Sequence, residues 1–349
     1  MQTNMNEYVL GSKQILRNPI QHSVYNNLGT VYLISIVNIY VPVITMEYIP
    51  GLEENTNKGG ELACDIDDVK TISFTPNTSK SKIRKEDIAD FGDEGFLLYN
   101  VLSQEESKSI INEGEKIGFE RMKGVKDEYR SAQRITLNNP DVAQFLWDRI
   151  KDYLKPIEFT ETKDPKSQHI HGIPFLLKGK WEPCGLNNIF RLCRYYPGGH
   201  FAPHYDGFYA KSSHERSLKT FMLYLNNEFQ DGCTQFVNEN QTLYKDANGK
   251  YCAEDKNILE RIHPHPGMAI LFNHQRLHEG QKVRDGTKYI LRTDIMYKRC
   301  GDKTMDEKEE KALQLLQEAE RLEGMGDCMK ASEFYRKAFK LSPALENCH

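Results

Sequence analysis

The feature that most limits the possible folds is a series of short apolar segments in the second half of the chain, separated by turn-forming residues. They are Phe190–Tyr196, Lys219–Leu225, Thr234–Val237, Met268–Phe272 and Lys288–Tyr297. Short apolar segments with frequent turn signals between them are typical of an all-β sandwich or barrel. We therefore predict a mainly β fold with packed helices, built on a double-stranded β-helix, or jelly roll, whose mouth can hold a small ligand.

A possible metal site lies within this series. One residue separates His204 from Asp206, so on an extended chain both side chains point to the same side. His278 can supply a third ligand from a distant strand. Two imidazoles and one carboxylate leave about three open positions on an octahedral metal, as in non-haem Fe(II) oxygenases. Zinc more often has four closed ligands, and no cysteine lies near enough in sequence to complete such a set.

A cationic position follows the third candidate ligand. Asp285-Gly286 is a turn signal, and the predicted strand that follows places Lys288, Ile290 and Arg292 on one face. A cation beside a metal-binding face suits the far carboxylate of a dicarboxylate cosubstrate. Lysine offers a point charge for this purpose and arginine offers a fork, so both Lys288 and Arg292 are candidates.

The pattern around these residues resembles the Fe(II)/2-oxoglutarate dioxygenases of the prolyl 4-hydroxylase-like group. The resemblance covers roughly Asp93–Arg299 and is strongest from Arg191 to Tyr297. One departure is Asp231, where the group often has a second glycine before Gly232, and this changes a loop and not a ligand. The matching pieces are Arg194-Tyr195-Tyr196-Pro197-Gly198, His204-Tyr205-Asp206, Tyr224-Leu225-Asn226, Gly232-Cys233-Thr234-Gln235-Phe236, Pro266-Gly267-Met268-Ala269-Ile270-Leu271-Phe272, His278-Glu279-Gly280 and Gly286-Thr287-Lys288-Tyr289.

The resemblance implies an enzyme that uses Fe(II), 2-oxoglutarate and O2, with ascorbate keeping the iron reduced. Such an enzyme hydroxylates an unactivated C–H bond and releases succinate and CO2, and the implied substrate is a protein or peptide residue such as proline. The implied metal ligands and catalytic residues are His204, Asp206 and His278. An alternative is a catalytically inactive oxygenase-like module that serves as a protein-interaction scaffold.

The resemblance also implies the residues that bind the cosubstrate. Lys288 matches the lysine or arginine position of the group, and Arg292 is its competitor deeper along the strand, where it can pair with Asp294. Tyr224 places its hydroxyl beside Lys288, and Tyr195 lines the same pocket, with Tyr196 as the alternative. Thr234 is a further candidate for a pocket residue.

Nucleic acid is not an expected partner. The net charge of −4 gives no sign of a basic surface. Nucleic-acid demethylases on related barrels usually carry a pair of arginines after the second histidine, with five residues between them, and this spacing is absent from the sequence.

Helices are predicted to support the barrel, which spans 186–299 within an oxygenase domain of 91–300. The helical support segment at 91–180 is expected to include one strand, at Phe96–Leu102. Ser103-Gln104-Glu105-Glu106 is a capping box that begins a helix ending near Ile117. Asn139 and Pro140 begin a second helix that ends near Leu154. Arg130 and Arg134 lie between the helices, where we expect a solvated loop; the alternative is that they reach the mouth of the cleft.

The first ninety residues form an N-terminal extension, 1–90, in which an apolar stretch at 30–46 precedes a polar linker. The stretch is short for a membrane span and contains Asn38 and Pro42. The eight cysteines form no CxxC pair, which favours free thiols in a reducing compartment. We therefore expect a cytoplasmic protein. The alternative is an endoplasmic reticulum membrane protein, held by a signal anchor at 30–46.

The C-terminal segment, 306–345, is predicted to form an α-hairpin. The small and aromatic positions of a single tetratricopeptide repeat are matched there by Ala319, Leu322, Ala331, Tyr335, Ala338 and Pro343. A lone repeat cannot bury both of its faces. The hairpin should therefore dock on the barrel, bind a protein partner or dimerise.

Overall fold

The computed structural model describes 69–76, 82–122, 125–159, 177, 179–212, 214–239, 241, 244–301, 308, 311–312, 314–316, 318–319 and 328–343. All of these residues belong to one compact unit, Ser35–His349. The N-terminal apolar stretch and linker, and part of the predicted C-terminal hairpin, lie outside the described residues. Their roles stay predictions.

Strands dominate the described chain. The α-helices are α1 (Gln104–Ile117), α2 (Pro140–Ile150) and α3 (Cys328–Leu341). The strands are β1 (Arg84–Asp87), β2 (Gly95–Tyr99), β3 (Glu120–Arg121), β4 (Arg130–Ser131), β5 (Gln133–Asn138), β6 (Ile157–Phe159), β7 (Gly179–Leu186), β8 (Ile189–Tyr195), β9 (His200–His204), β10 (Ala210–Ser212), β11 (Glu215–Tyr224), β12 (Phe229–Asp231), β13 (Thr234–Val237), β14 (Tyr244–Lys245), β15 (Tyr251–Cys252), β16 (Ile258–Ile262), β17 (Ala269–Asn273), β18 (His278–Gly280), β19 (Val283–Gly286) and β20 (Lys288–Cys300).

Two antiparallel sheets build the barrel. The larger sheet has the order β1-β2-β17-β11-β20-β8-β5-β3, and the smaller sheet has the order β16-β13-β18-β9-β4. Strands that are distant in sequence are therefore neighbours, as in the pairing of β20 with both β11 and β8. This arrangement confirms the predicted jelly roll.

The two faces of the larger sheet have different partners. Alternation along β20 sends Ile290 into the cluster between the sheets and Leu291 into the cluster under the helices. The inner cluster also contains Tyr195, Tyr224 and Phe236, which come from both sheets. The interior of the barrel is therefore lined by side chains that the pleat of each strand points inward.

Both predicted helix starts are confirmed. Ser103 accepts a hydrogen bond from the backbone N–H of Glu106, and the Glu106 side chain accepts one from the backbone N–H of Ser103. Asn139 caps the second helix by accepting from the Val142 N–H at 3.1 Å. That helix ends at Ile150, earlier than predicted, because the next residues form a 3-10 turn, Lys151–Tyr153.

The support segment contains strands as well as helices. The strand expected at Phe96–Leu102 is present as β2, and β2 and β5 extend the larger sheet on either side. Arg130 and Arg134 do not lie in a solvated loop, because they belong to β4 and β5, which pair with β9 and β8.

The C-terminal residues form a small cluster of their own. Ala312, Leu316 and Ala338 are buried together, with Tyr335 and Phe339 packed against them. Ala312 and Leu316 thus pack with Ala338 of α3, which is compatible with the predicted hairpin. The hairpin itself stays a prediction. None of the helices in the described ranges has the length and apolar character needed to cross a membrane.

The buried ion pair between α1 and α2 provides a test of the support layer. The Arg149 guanidinium donates to both carboxylate oxygens of Glu106, at 2.7 and 2.9 Å, and Glu106 is only 2% exposed. We expect Glu106→Gln to lower the free energy of unfolding by about 3 kcal/mol, because it leaves a partly buried guanidinium without its counter-charge. Urea unfolding would measure this. The matched control Glu113→Gln breaks the exposed Lys116 pair and should leave the free energy of unfolding nearly unchanged. Equal effects of the two changes would contradict the prediction.

Candidate active site

The three predicted metal ligands come together inside the barrel. His204 ends β9, Asp206 follows it, and His278 begins β18 directly opposite His204 in the ladder. One ligand atom from each residue lies within 4.8 Å of the others, and all three residues are buried. The local strand register, and not a long loop, therefore brings the distant histidine to the pair.

Hydrogen bonds orient both imidazoles toward the carboxylate. The Nδ1 atoms of His204 and His278 lie 2.8 and 2.9 Å from the backbone oxygens of Ala202 and Arg276. Because a carbonyl only accepts, each Nδ1 carries the proton and each Nε2 has a free lone pair. These Nε2 atoms lie 3.8 and 3.7 Å from the two oxygens of Asp206.

The charge states of the three residues suit metal binding. Burial lowers the pKa of His204 and of His278, so both imidazoles are neutral ligands. Burial alone would raise the pKa of the Asp206 carboxyl, but the Arg292 guanidinium outweighs it and, together with the hydrogen bond from Thr220, holds that pKa well below its usual range. Two neutral nitrogens and one carboxylate form the donor set of a facial triad for Fe(II), and the carbonyls behind each ring fix the tautomer. The residues present therefore fit the ion.

A chain of hydrogen bonds fixes the carboxylate of Asp206. The Thr220 hydroxyl donates to Asp206 Oδ2 at 2.6 Å and lies 3.0 Å from Nδ1 of His274, whose Nε2 lies 2.9 Å from Oγ of Ser217. Burial lowers the pKa of His274 to about 4, so this ring is neutral. The Asp206 N–H also donates to the backbone oxygen of His274 at 3.0 Å. His274 therefore supports the site and is not itself a metal ligand.

Lys288 lies in a separate part of the interior. It is 3% exposed, its Nζ donates to the backbone oxygen of Gly232 at 2.6 Å, and it lies 5.5 and 5.7 Å from the ring centres of Tyr195 and Tyr224. Burial lowers the pKa of Lys288 to about 8. The Tyr224 hydroxyl donates to Oγ1 of Thr234 at 2.6 Å. Lys288 and the three hydroxyl residues thus form one polar cluster.

Arg292 has a different position. Its guanidinium lies 2.9 Å from Asp206 Oδ1 and 3.4 Å from Asp294 Oδ1. The expected pairing with Asp294 is therefore present. Because Arg292 contacts Asp206, it lies apart from the cluster around Lys288. Lys288 is therefore the better candidate to bind the far carboxylate of the cosubstrate.

Sequence reasoning missed Arg191 near the triad, and it gave a position at the mouth of the cleft for Arg130 only as the alternative. Arg191 of β8 lies opposite Arg292 of β20 in the strand ladder. The Arg130 guanidinium lies over the Phe201 ring, 4.1 Å from its centre. Phe201 in turn stacks on the ring of His204 at 3.5 Å. Side chains alternate between the two faces along β8, so Tyr195, Cys193 and Arg191 share the inner face. This alternation could have identified Arg191 from the sequence. No local signal marks Arg130, because its position depends on the pairing of β4 with β9.

Residues 190–293 match the family model described as the 2OG-Fe(II) oxygenase superfamily. No curated protein matches the chain. The chain is similar in structure to a viral collagen prolyl hydroxylase, vCPH, from Paramecium Bursaria Chlorella virus-1 in complex with 2OG, at 21% identity and a TM-score of 0.34, with 60% of this chain and 99% of that chain covered. It is also similar to a Pseudomonas putida prolyl-4-hydroxylase, at 15% identity and a TM-score of 0.35, with 60% and 94% covered.

The class of the protein follows from the family match and the triad together. Residues 190–293 form a 2OG-Fe(II) oxygenase domain, which contains His204, Asp206, His278 and Lys288. The protein is a 2-oxoglutarate-dependent dioxygenase. Its family implies Fe(II), 2-oxoglutarate and O2 as metal and cosubstrates.

The Thr220 hydroxyl is expected to hold Asp206 in position for the metal. Thr220→Val keeps the shape of this fully buried side chain but removes the donor to Asp206. We expect the affinity for Mn(II), used as a stand-in for Fe(II), to fall about tenfold, because loss of a hydrogen bond behind a ligand typically weakens metal binding by this amount. Calorimetric titration would measure it, and Thr220→Ser should restore most of the affinity. Unchanged Mn(II) affinity in Thr220→Val would assign the hydroxyl a purely structural role.

Proposed function

We propose that this protein hydroxylates an unactivated C–H bond of a protein or peptide residue, with proline as the first candidate, and releases succinate and CO2. The observation that carries the proposal is the arrangement of His204, Asp206 and His278, whose ligand atoms face each other inside the barrel in the protonation states that a metal requires. The proposed metal ligands are these three residues, and the proposed cosubstrate residues are Lys288, Tyr224 and Tyr195.

The residues of the chain bind and orient the reactants. When bound at the triad, Fe(II) supplies the oxidative chemistry that decarboxylates 2-oxoglutarate and activates O2. Lys288 holds the far carboxylate of 2-oxoglutarate with its ammonium group, and Tyr224 and Thr234 offer hydroxyls beside it. The buried position of these groups excludes water and strengthens their electrostatic interactions. Ascorbate is proposed as the reductant that sustains turnover.

The test of the reaction is a turnover assay with a matched histidine control. Purified protein, Fe(II), 2-oxoglutarate and ascorbate are incubated with a cell lysate, and succinate and oxygen-addition products are measured by mass spectrometry. We expect both products with the wild type and background levels with His204→Ala, which removes a metal ligand. His265→Ala changes an exposed histidine and should retain turnover. Equal succinate formation by His204→Ala would reject the proposal.

Lys288→Ala separates cosubstrate binding from metal binding. We expect the KM for 2-oxoglutarate to rise by at least about 30-fold, because a buried carboxylate loses its charged partner, while Mn(II) affinity stays within about twofold. In the wild type, that KM should also rise above pH 8, where Lys288, with a pKa of about 8, loses its proton. Lys211→Ala, at an exposed pair with Glu215, is the control and should leave the KM unchanged. If the KM for 2-oxoglutarate is unchanged in Lys288→Ala, a cation other than Lys288 binds the far carboxylate.

The role of the C-terminal segment is a separate proposal. If α3 and the preceding residues form a tetratricopeptide-like hairpin, its second face can bind a protein partner.

The complete triad and its orienting hydrogen bonds favour an active enzyme over an inactive scaffold, because a scaffold has no need of a buried carboxylate among neutral imidazoles.

A further inference from the structure

We propose that Arg191, Arg292 and Arg130 bind the carboxylate of an acidic residue next to the hydroxylated position of a peptide substrate. The inference rests on the proposed function above and adds the chemical class of the substrate. It is carried by three guanidinium groups that the fold gathers on the inner side of the barrel beside the triad.

Two of these groups lie directly opposite each other. Arg191 of β8 and Arg292 of β20 are register partners, on the face that also carries Cys193 and Ile290 of the inner cluster. Like charges opposite each other in a ladder are destabilising unless something compensates them. Such a pair needs anions between its members.

The anions present are shared among several cations. Arg292 contacts Asp206 and Asp294, and Arg191 reaches only Asp294, at 4.0 Å. Asp206 is also the proposed metal ligand, so its carboxylate is shared between the metal and Arg292. The buried Nε of Arg292 has no hydrogen-bond partner. The guanidinium pair is therefore incompletely neutralised by the described residues.

The third group comes from the opposite sheet. Arg130 lies in β4, beside β9, and its recorded partners are the Sγ of Cys193 at 3.6 Å, the hydroxyl of Tyr195 and the face of Phe201. All of these partners are neutral, and the buried Nε of Arg130 has none. Arg130 thus adds a third guanidinium near the triad to the two that share Asp206 and Asp294.

The bound metal and cosubstrate do not remove this surplus. Fe(II) carries two positive charges and 2-oxoglutarate two negative ones, so they cancel. Lys288 is four residues from Arg292 along β20, or roughly 13 Å at the rise of a strand, and it serves the far end of the cosubstrate. A further anionic group is needed beside the arginines, and the substrate is the remaining source.

The arginines are open to such a group. The side chains of Arg191 and Arg292 keep 30% and 17% of their accessible surface, although their strands lie in the middle of the larger sheet. They therefore border open space and are not sealed in the core. Guanidinium forks match the geometry of a carboxylate and bind it through two parallel hydrogen bonds.

The test compares three peptides with one sequence frame, in which the residues on both sides of a central proline are glutamate, glutamine or lysine. Binding to the protein loaded with Mn(II) and the inert cosubstrate analogue N-oxalylglycine is measured by calorimetry. We expect the glutamate peptide to bind at least about tenfold more tightly than the glutamine peptide, and the lysine peptide to bind most weakly.

Variants that remove or keep the positive charge of one arginine show which residue causes the preference for glutamate. Arg191→Gln should reduce the preference for glutamate over glutamine to less than about twofold, and Arg191→Lys should keep part of it. Thermal unfolding shows whether each variant is folded. If Arg191→Gln unfolds, Arg130→Gln in the other sheet replaces it, with the same expected loss of preference.

The outcomes separate this inference from the proposed function. Equal binding of the glutamate and glutamine peptides, or no binding of the glutamate peptide by protein that holds Mn(II) and N-oxalylglycine, overturns the inference and leaves the dioxygenase chemistry intact. It is also overturned if Arg191→Gln weakens N-oxalylglycine binding and leaves the glutamate preference unchanged. Absence of metal binding or of succinate formation would instead reject the proposed function.

Discussion

The site depends on the pairing of β18 with β9. This short antiparallel ladder places His278 directly opposite His204, although more than seventy residues separate them in the chain. Side chains opposite each other on one face of such a pair are about 5 Å apart at their Cβ atoms, close enough for two imidazoles to meet one ion. A slip of the register by one residue would turn His278 to the other face and destroy the triad. The register is fixed by β13, which pairs with the other edge of β18.

Burial decides the chemistry of every titratable group in the interior. Burial makes the imidazoles of His204 and His278 neutral. It also lowers the pKa of Lys288 to about 8, so that at neutral pH the charged form of this lysine is only moderately favoured over the neutral form. The low pKa of Asp206 in the same environment requires cations nearby, and Arg292 supplies the largest favourable contribution. The barrel thus combines groups that burial neutralises with one carboxylate that its neighbours keep charged.

Much of the fold and the site could be predicted because local signals and global fold agree there. The strand at Thr234–Val237 has the predicted bounds, and the capping box at Ser103 begins a helix as expected. The strand β7 was not predicted, because Pro183 interrupts its pattern and proline is disfavoured in most strands. The fold tolerates it where the pairing with β20 shifts register beside Pro183.

The arginines of the interior show why sequence alone stops short of the substrate. The sequence places Arg130 between two predicted helices, where a solvated loop is the favoured expectation and the mouth of the cleft is the alternative. Whether its strand faces solvent or the triad depends on the pairing of β4 with β9, a contact between chain segments about seventy residues apart. The metal ligands can be recognised by spacing, since every member of the family needs them. Groups that select one substrate differ between members, so they become visible only when the folded chain brings their charges together and leaves those charges in excess.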